Sequence, residues 1–239
     1  MTHPWDDIVS PEEVELLAAR GNAVERETRF GDNPALVIVD MTRSFTDPGY
    51  PASCHTTGGE AATEAAKHVL DAARRAGIPI FFTKVLQTTP GTFLPVELGM
   101  RTEERTELLD SLLSTPAGLP EGNEIGELLE PRPGEIVISK PKPSAFHGTA
   151  LDTYLHHFHT DSLLVTGMVT SGCVRATVID AYMRNYHVNL IHQAVADYSP
   201  FNHKASLLDM HIKYADLTQL DDMVEHLRSR SPRVVAVPA

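Results

Sequence analysis

The stretch Leu163–Met183, LLVTGMVTSGCVRATVIDAYM, changes its periodicity halfway along. Its first part is a short, uniformly apolar, β-branched run, the pattern of a strand buried on both faces. Its second part, from about residue 171 to 185, repeats apolar residues at helical spacing. Between them a polar turn, TSG, delivers Cys173 to the start of the helix. Gly167 and Gly172 allow a sharp turn that aims backbone N–H groups inward. A buried strand, a tight turn and a helix together make half of a βαβ unit.

The same alternation extends in both directions. Toward the N-terminus, ALVIVD (35–40) and IPIFFT (78–83) are buried-strand runs, with a helix pattern at 59–76 that ends at Gly77. EIVISK (135–140), SLLVTG (162–167) and HVNLIH (187–192) continue the series, and GTALDTYLHHF (148–158) is helical. RVVAV (233–237) offers a sixth strand. Residues 11–22 form a short helix opened by Ser10 and Pro11, and 84–131 read as loops and short helices rich in Pro, Gly and Glu. This order predicts an α/β fold. It is a three-layer, Rossmann-like open sheet of about six mainly parallel strands, with helices on both faces. One domain spans 1–239, with 1–30 as an N-terminal helical extension.

Composition narrows the classes of partner. The net charge of −12 over 239 residues would be repelled by nucleic acid and by anionic membranes, so neither is expected as a partner. No apolar run approaches the roughly 20 residues that span a bilayer. MTHPWDDIVSPEEVELL lacks the basic and apolar regions of a signal peptide. Two cysteines, Cys54 and Cys173, are too few for a disulfide scaffold. The chain reads as soluble and cytoplasmic.

In a doubly wound sheet, ligands bind beyond the carboxyl ends of the strands. That edge receives Asp40, Lys140 and Cys173. A helix N-terminus and a nearby ammonium would favour the thiolate of Cys173. Asp40 could take the thiol proton and return it to a leaving nitrogen. Each residue also has a structural use: a thiol as a small hydrophobe, an aspartate as a loop cap, a lysine as a solvated charge. Lys142 is a rival to Lys140.

Three blocks carry a resemblance: ALVIVDMTRSFTDPG, EIVISKPKPSAFHGTALD and LLVTGMVTSGCVRATVIDA. In this order they resemble the isochorismatase-like cysteine hydrolases over roughly residues 30–215. The resemblance implies that Asp40, Lys140 and Cys173 form a catalytic triad, and it selects Lys140 over Lys142. It implies a non-proline cis peptide between Met168 and Val169, with the Val169 and Cys173 amides as the oxyanion hole. Within the family the blocks look most like the amidohydrolases of linear amides or carbamoyl acids, of the N-carbamoylsarcosine and maleamate kind, which release ammonia through a thioester-type intermediate. A homo-oligomer, often a tetramer, is implied as well, with no cofactor.

Two departures bear on the substrate. Tyr198 stands where those relatives place a carboxylate-binding arginine, and Arg43 where they have asparagine. Either Arg43 replaces the lost anchor or the substrate is a neutral ureide such as biuret or triuret. Phe45, Phe146, Thr170, Arg175 and Tyr198 are the remaining substrate-binding candidates. No metal site is expected: the Asp-x-His motif of metal-binding relatives is absent, and His156, His157 and His159 suit a solvated helix end. A vinyl-ether hydrolase and a non-catalytic oligomeric module are the other classes this fold allows.

Overall fold

The structure, a computed structural model, describes residues 3–21, 27–86, 111 and 114–230. Among them the strands are β1 (Pro34–Val39), β2 (Ile80–Val85), β3 (Ile136–Lys140), β4 (Ser162–Met168), β5 (His187–Ala196) and β6 (Asp216–Thr218). They form one sheet in the order β3-β2-β1-β4-β5-β6, with every neighbouring pair parallel. The order reverses between β1 and β4, so a crevice opens at their carboxyl ends, where Asp40 and Cys173 lie.

Helices follow from the alternation of side chains along these strands. Leu36 and Ile38 of β1 face one layer, built by α3 (Gly59–Ala76) and α7 (Leu220–Ser229). Ala35, Val37 and Val39 face the other, built by α4 (Leu151–His157), α5 (Arg175–Met183) and α6 (Pro200–Lys213). All six residues of β1 and all seven of β4 are buried, as strands covered on both faces must be. A four-residue helix, α2 (Arg43–Thr46), follows β1. The N-terminal α1 (Pro11–Ala19) is capped by Ser10, whose Oγ accepts the Glu13 N–H at 3.3 Å. None of its residues is buried, so this helix decorates the sheet. Trp5, just before it, is fully buried, with its ring against those of His3 and His211.

One reading changes, and two fall wholly or largely outside the described residues. The sixth strand is Asp216–Thr218, only three residues long and too short to show a period, while the 233–237 run lies outside the described residues. Much of the irregular 84–131 segment lies outside them too. The expected helix over 171–185 begins as a π-helical turn, Thr170–Val174, and becomes α-helical only from Arg175.

Candidate active site

Asp40 follows β1 with φ of +49°, a left-handed conformation that aspartate tolerates better than most residues. That turn directs its carboxyl group into the crevice, where it is fully buried. Thr83 on the neighbouring β2 accepts the Asp40 N–H at 3.1 Å and donates its hydroxyl to Asp40 Oδ1 at 2.6 Å. The other carboxylate oxygen, Oδ2, lies 2.7 Å from Lys140 Nζ.

Lys140 ends β3, two strands away from β1. With strands about 4.8 Å apart, the gap is roughly 10 Å, and only a long stem spans it. The Lys140 ammonium also donates to Cys173 Sγ at 3.3 Å and to the Lys142 carbonyl at 3.2 Å. The ammonium thus makes two hydrogen bonds and an ion pair at once. Lys142 enters the site through its backbone, which explains geometrically why Lys140 is the residue that meets the thiol. Burial works against the ammonium, but the charges of Asp40 and Cys173 outweigh it and hold its pKa above the ordinary lysine value.

Cys173 sits in the π turn rather than in a regular helix N-terminus, and part of it stays open to solvent. Its thiol is pushed up to about 12, first by burial and then by the charge of Asp40, with Lys140 pulling the other way. Burial and the neighbouring Asp40 thus favour the protonated thiol over the thiolate.

The peptide between Met168 and Val169 is cis. Gly167 before it has φ of +138°, and a Cβ there would lie 2.2 Å from the Val39 carbonyl oxygen. Gly172 is different: its φ is not positive, and its constraint is contact, since a Cβ would sit 3.0 Å from Val169 Cγ2. Two residues that the sequence reading missed secure this turn. Asp197, buried at the end of β5, accepts the Ser171 N–H at 2.8 Å and the Ser171 hydroxyl at 2.7 Å. His203 on α6 places Nδ1 2.8 Å from Thr170 Oγ1. Both partners are more than 25 residues from the turn in sequence, and no local pattern links them to it.

The expected substrate-binding residues divide. Thr170 is fully buried in the turn. Phe45 is buried in the first core, beside the start of the crevice. Tyr198 is half-exposed, and its phenol is pushed up to about 12 by burial and by the charges of Asp197, Cys54 and Cys173. Phe146 does not line the crevice: its ring stacks on Tyr186 with Arg184 above it, at the far end of α5 from Cys173. Arg43 pairs with Asp47 at 3.5 Å and lines a groove of about 350 Å³ with His55, Glu60 and Glu127. Arg175 pairs with Asp209 on α6. Cys54 is a fully buried core residue. His156, His157 and His159 are exposed, and among the described residues no group of three or more His, Cys, Asp or Glu is placed to hold a metal ion. No helix among them is long and apolar enough to cross a membrane.

A carboxylate and an ammonium buried together against a thiol at the switch point of a parallel sheet define a cysteine-hydrolase type of site. The isochorismatase domain model matches residues 34–222, and the chain belongs to the isochorismatase family. It is an amidohydrolase of that family. It is 30% identical to N-carbamoylsarcosine amidase from an Arthrobacter species, over 85% of this chain and 74% of that one. It is 31% identical to maleamate amidohydrolase from Pseudomonas putida, over 83% of this chain and 89% of that one. The solved N-carbamoylsarcosine amidase of Thermoplasma acidophilum superposes with a TM-score of 0.63 at 25% identity, covering 79% of this chain and 97% of that one.

Proposed function

We propose that the chain hydrolyses a C–N bond of a small linear carbamoyl compound or amide in the cytoplasm, releasing ammonia, with Cys173 as nucleophile. The observation that carries this reading is Lys140 Nζ bridging Asp40 and Cys173 at 2.7 and 3.3 Å. Asp40 takes the thiol proton as sulfur attacks the carbonyl carbon, and Lys140 stabilises the sulfur while it carries charge. The C–S bond forms and the carbonyl electron pair moves onto oxygen. The N–H groups of Val169 and Cys173 hold that oxyanion, each contributing about 3–4 kcal/mol in comparable sites. Collapse breaks the C–N bond, and Asp40 returns its proton to the departing ammonia. Water then hydrolyses the thioester or thiocarbamate, with Asp40 again as base. Thr170, Phe45 and Tyr198 bound the substrate.

Relatives at about 30% identity act on N-carbamoylsarcosine and maleamate, which supports a carbamoyl or amide acid. One observation favours a second reading, a neutral ureide of the biuret or triuret kind. Arg43 and Arg175, the two arginines available as carboxylate anchors, are each engaged with a carboxylate of the protein. Ammonia release from N-carbamoylsarcosine, maleamate, biuret, triuret and nicotinamide, with isochorismate as the ether control, tests the proposal. Activity on an acid supports the first reading and activity on a ureide the second. Turnover of isochorismate alone, or of none of the panel, would overturn both.

A further inference from the structure

We infer that His203 is a positioning residue for the oxyanion side of the site, acting through Thr170. The inference deepens the proposed function and rests on the oxyanion role given there to Val169. Thr170 follows Val169 directly, and its hydroxyl is fully buried, so it needs a partner inside the protein. That partner is His203 Nδ1, at 2.8 Å. His203 is fixed in turn by α6, where its own N–H bonds to the Ser199 carbonyl at 2.9 Å. The next residue, Ser171, is held independently by Asp197 through two bonds. The two residues after Val169 are thus tied to the corner between β5 and α6, and the Val169 amide can swing only if one of these ties is broken. The Val169 carbonyl accepts the Gly172 N–H at 3.0 Å, closing the turn from its other side.

Burial lowers the pKa of His203, with Asp197 opposing this and His192 and Lys204 reinforcing it. Burial thus favours the neutral imidazole, which has a lone pair or a single N–H to offer the Thr170 hydroxyl. A site of this kind tolerates little misplacement, because an amide displaced by about 1 Å loses up to about 100-fold in rate.

The test uses the full chain and whichever panel substrate the wild type hydrolyses. His203→Ala should lower kcat by about 10- to 100-fold and leave KM within about twofold. Alkylation of Cys173 by iodoacetamide should stay within about twofold, because that displacement forms no oxyanion. His203→Asn, which sets an amide atom near the position of Nδ1, should recover most of kcat. Thr170→Val cuts the same bond from the other side, and the double variant should be no slower than the slower single one. If His203→Ala does not fold, His203→Asn and Thr170→Val against wild type carry the comparison. An unchanged kcat in His203→Ala, or a loss of kcat matched by an equal loss of alkylation rate, would overturn this inference alone. A wild type that hydrolyses nothing in the panel would overturn the reading beneath it as well.

Discussion

The Lys140 ammonium pairs with the Asp40 carboxylate and donates to Cys173 and to the carbonyl of Lys142. Removing it leaves Asp40 as a buried, uncompensated charge, so Lys140→Met should cost about 3–5 kcal/mol of stability as well as turnover. A denaturation midpoint equal to that of wild type would contradict this. Cys173→Ala should lower kcat by about 10,000-fold or more with the fold intact, since Ala suits the turn and helix start. Cys54→Ala should keep most of the activity, because Cys54 fills core volume. The protonation state gives a third test at this scale. With the thiol pushed up to about 12, alkylation of Cys173 by iodoacetamide should keep accelerating above pH 9, where an ordinary thiol at 9.0 levels off. A rate that is flat from pH 7 to pH 10 would show a resting thiolate instead. Asp40, Lys140 and Cys173 were candidates because each ends or follows a strand, though Lys142 was separated from Lys140 only by the resemblance. Thr83, Asp197 and His203 were not candidates, since their partners are 43, 26 and 33 residues away.

At the scale of elements, the turn after β4 depends on a contact rather than on a propensity. Gly167 combines φ of +138° with a Cβ position 2.2 Å from a backbone oxygen of β1. Backbone cannot move aside as a flexible side chain does, so Gly167→Ala should cost about 3 kcal/mol or more, or prevent soluble expression. A variant with wild-type melting temperature would refute the argument. The long elements were readable: α3 spans Gly59–Ala76 and stops at Gly77, as its period and glycine indicate. The three-residue β6 was not, because so short a strand shows no alternation and is defined by pairing with β5. The π turn was read as the first turn of a helix, since both patterns place Cys173 on the same face.

Across the whole molecule, partly buried histidines shape the acid response. His192, His203 and His226 all have pKa values lowered mainly by burial, whereas His187 is raised by its bond to Asp216. A lowered histidine is neutral in the fold while the unfolded chain takes up protons from about 6.5 downward, so its stabilisation is full above 6.5 and is lost on acidification. His187 acts oppositely, its contribution being full below 6.5 and lost as pH rises through its raised value. Three against one, the denaturation midpoint should fall between pH 7 and pH 5. Cys54 and Cys173, both at about 12 against 9.0 unfolded, should erode stability from pH 9 upward. Trp5, the single tryptophan, is fully buried, so its emission reports both transitions. A midpoint constant from pH 7 to pH 5 would count against the histidine argument. We further propose a homo-oligomer, and exposed Tyr182, Met183 and Phe201 suit contacts between copies. Light scattering at micromolar concentration should give a mass that is a multiple of 26.2 kDa, and a single-chain mass would refute it.

The sequence by itself determined the parallel α/β sheet, because buried strands and amphipathic helices carry their periods locally. It also brought Asp40, Lys140 and Cys173 forward as candidates, because strand ends in such a sheet share one edge, while only the resemblance chose Lys140 over Lys142. The tertiary structure decided what surrounds those groups: a thiol beside an aspartate that is paired with a buried lysine. It also decided that Arg43 and Arg175 are bound to Asp47 and Asp209 and that Phe146 packs away from the crevice. Charge states and side-chain partners depend on what distant segments bring within a few ångströms, and burial makes each such contact count. Spacing along the chain does not encode that distance.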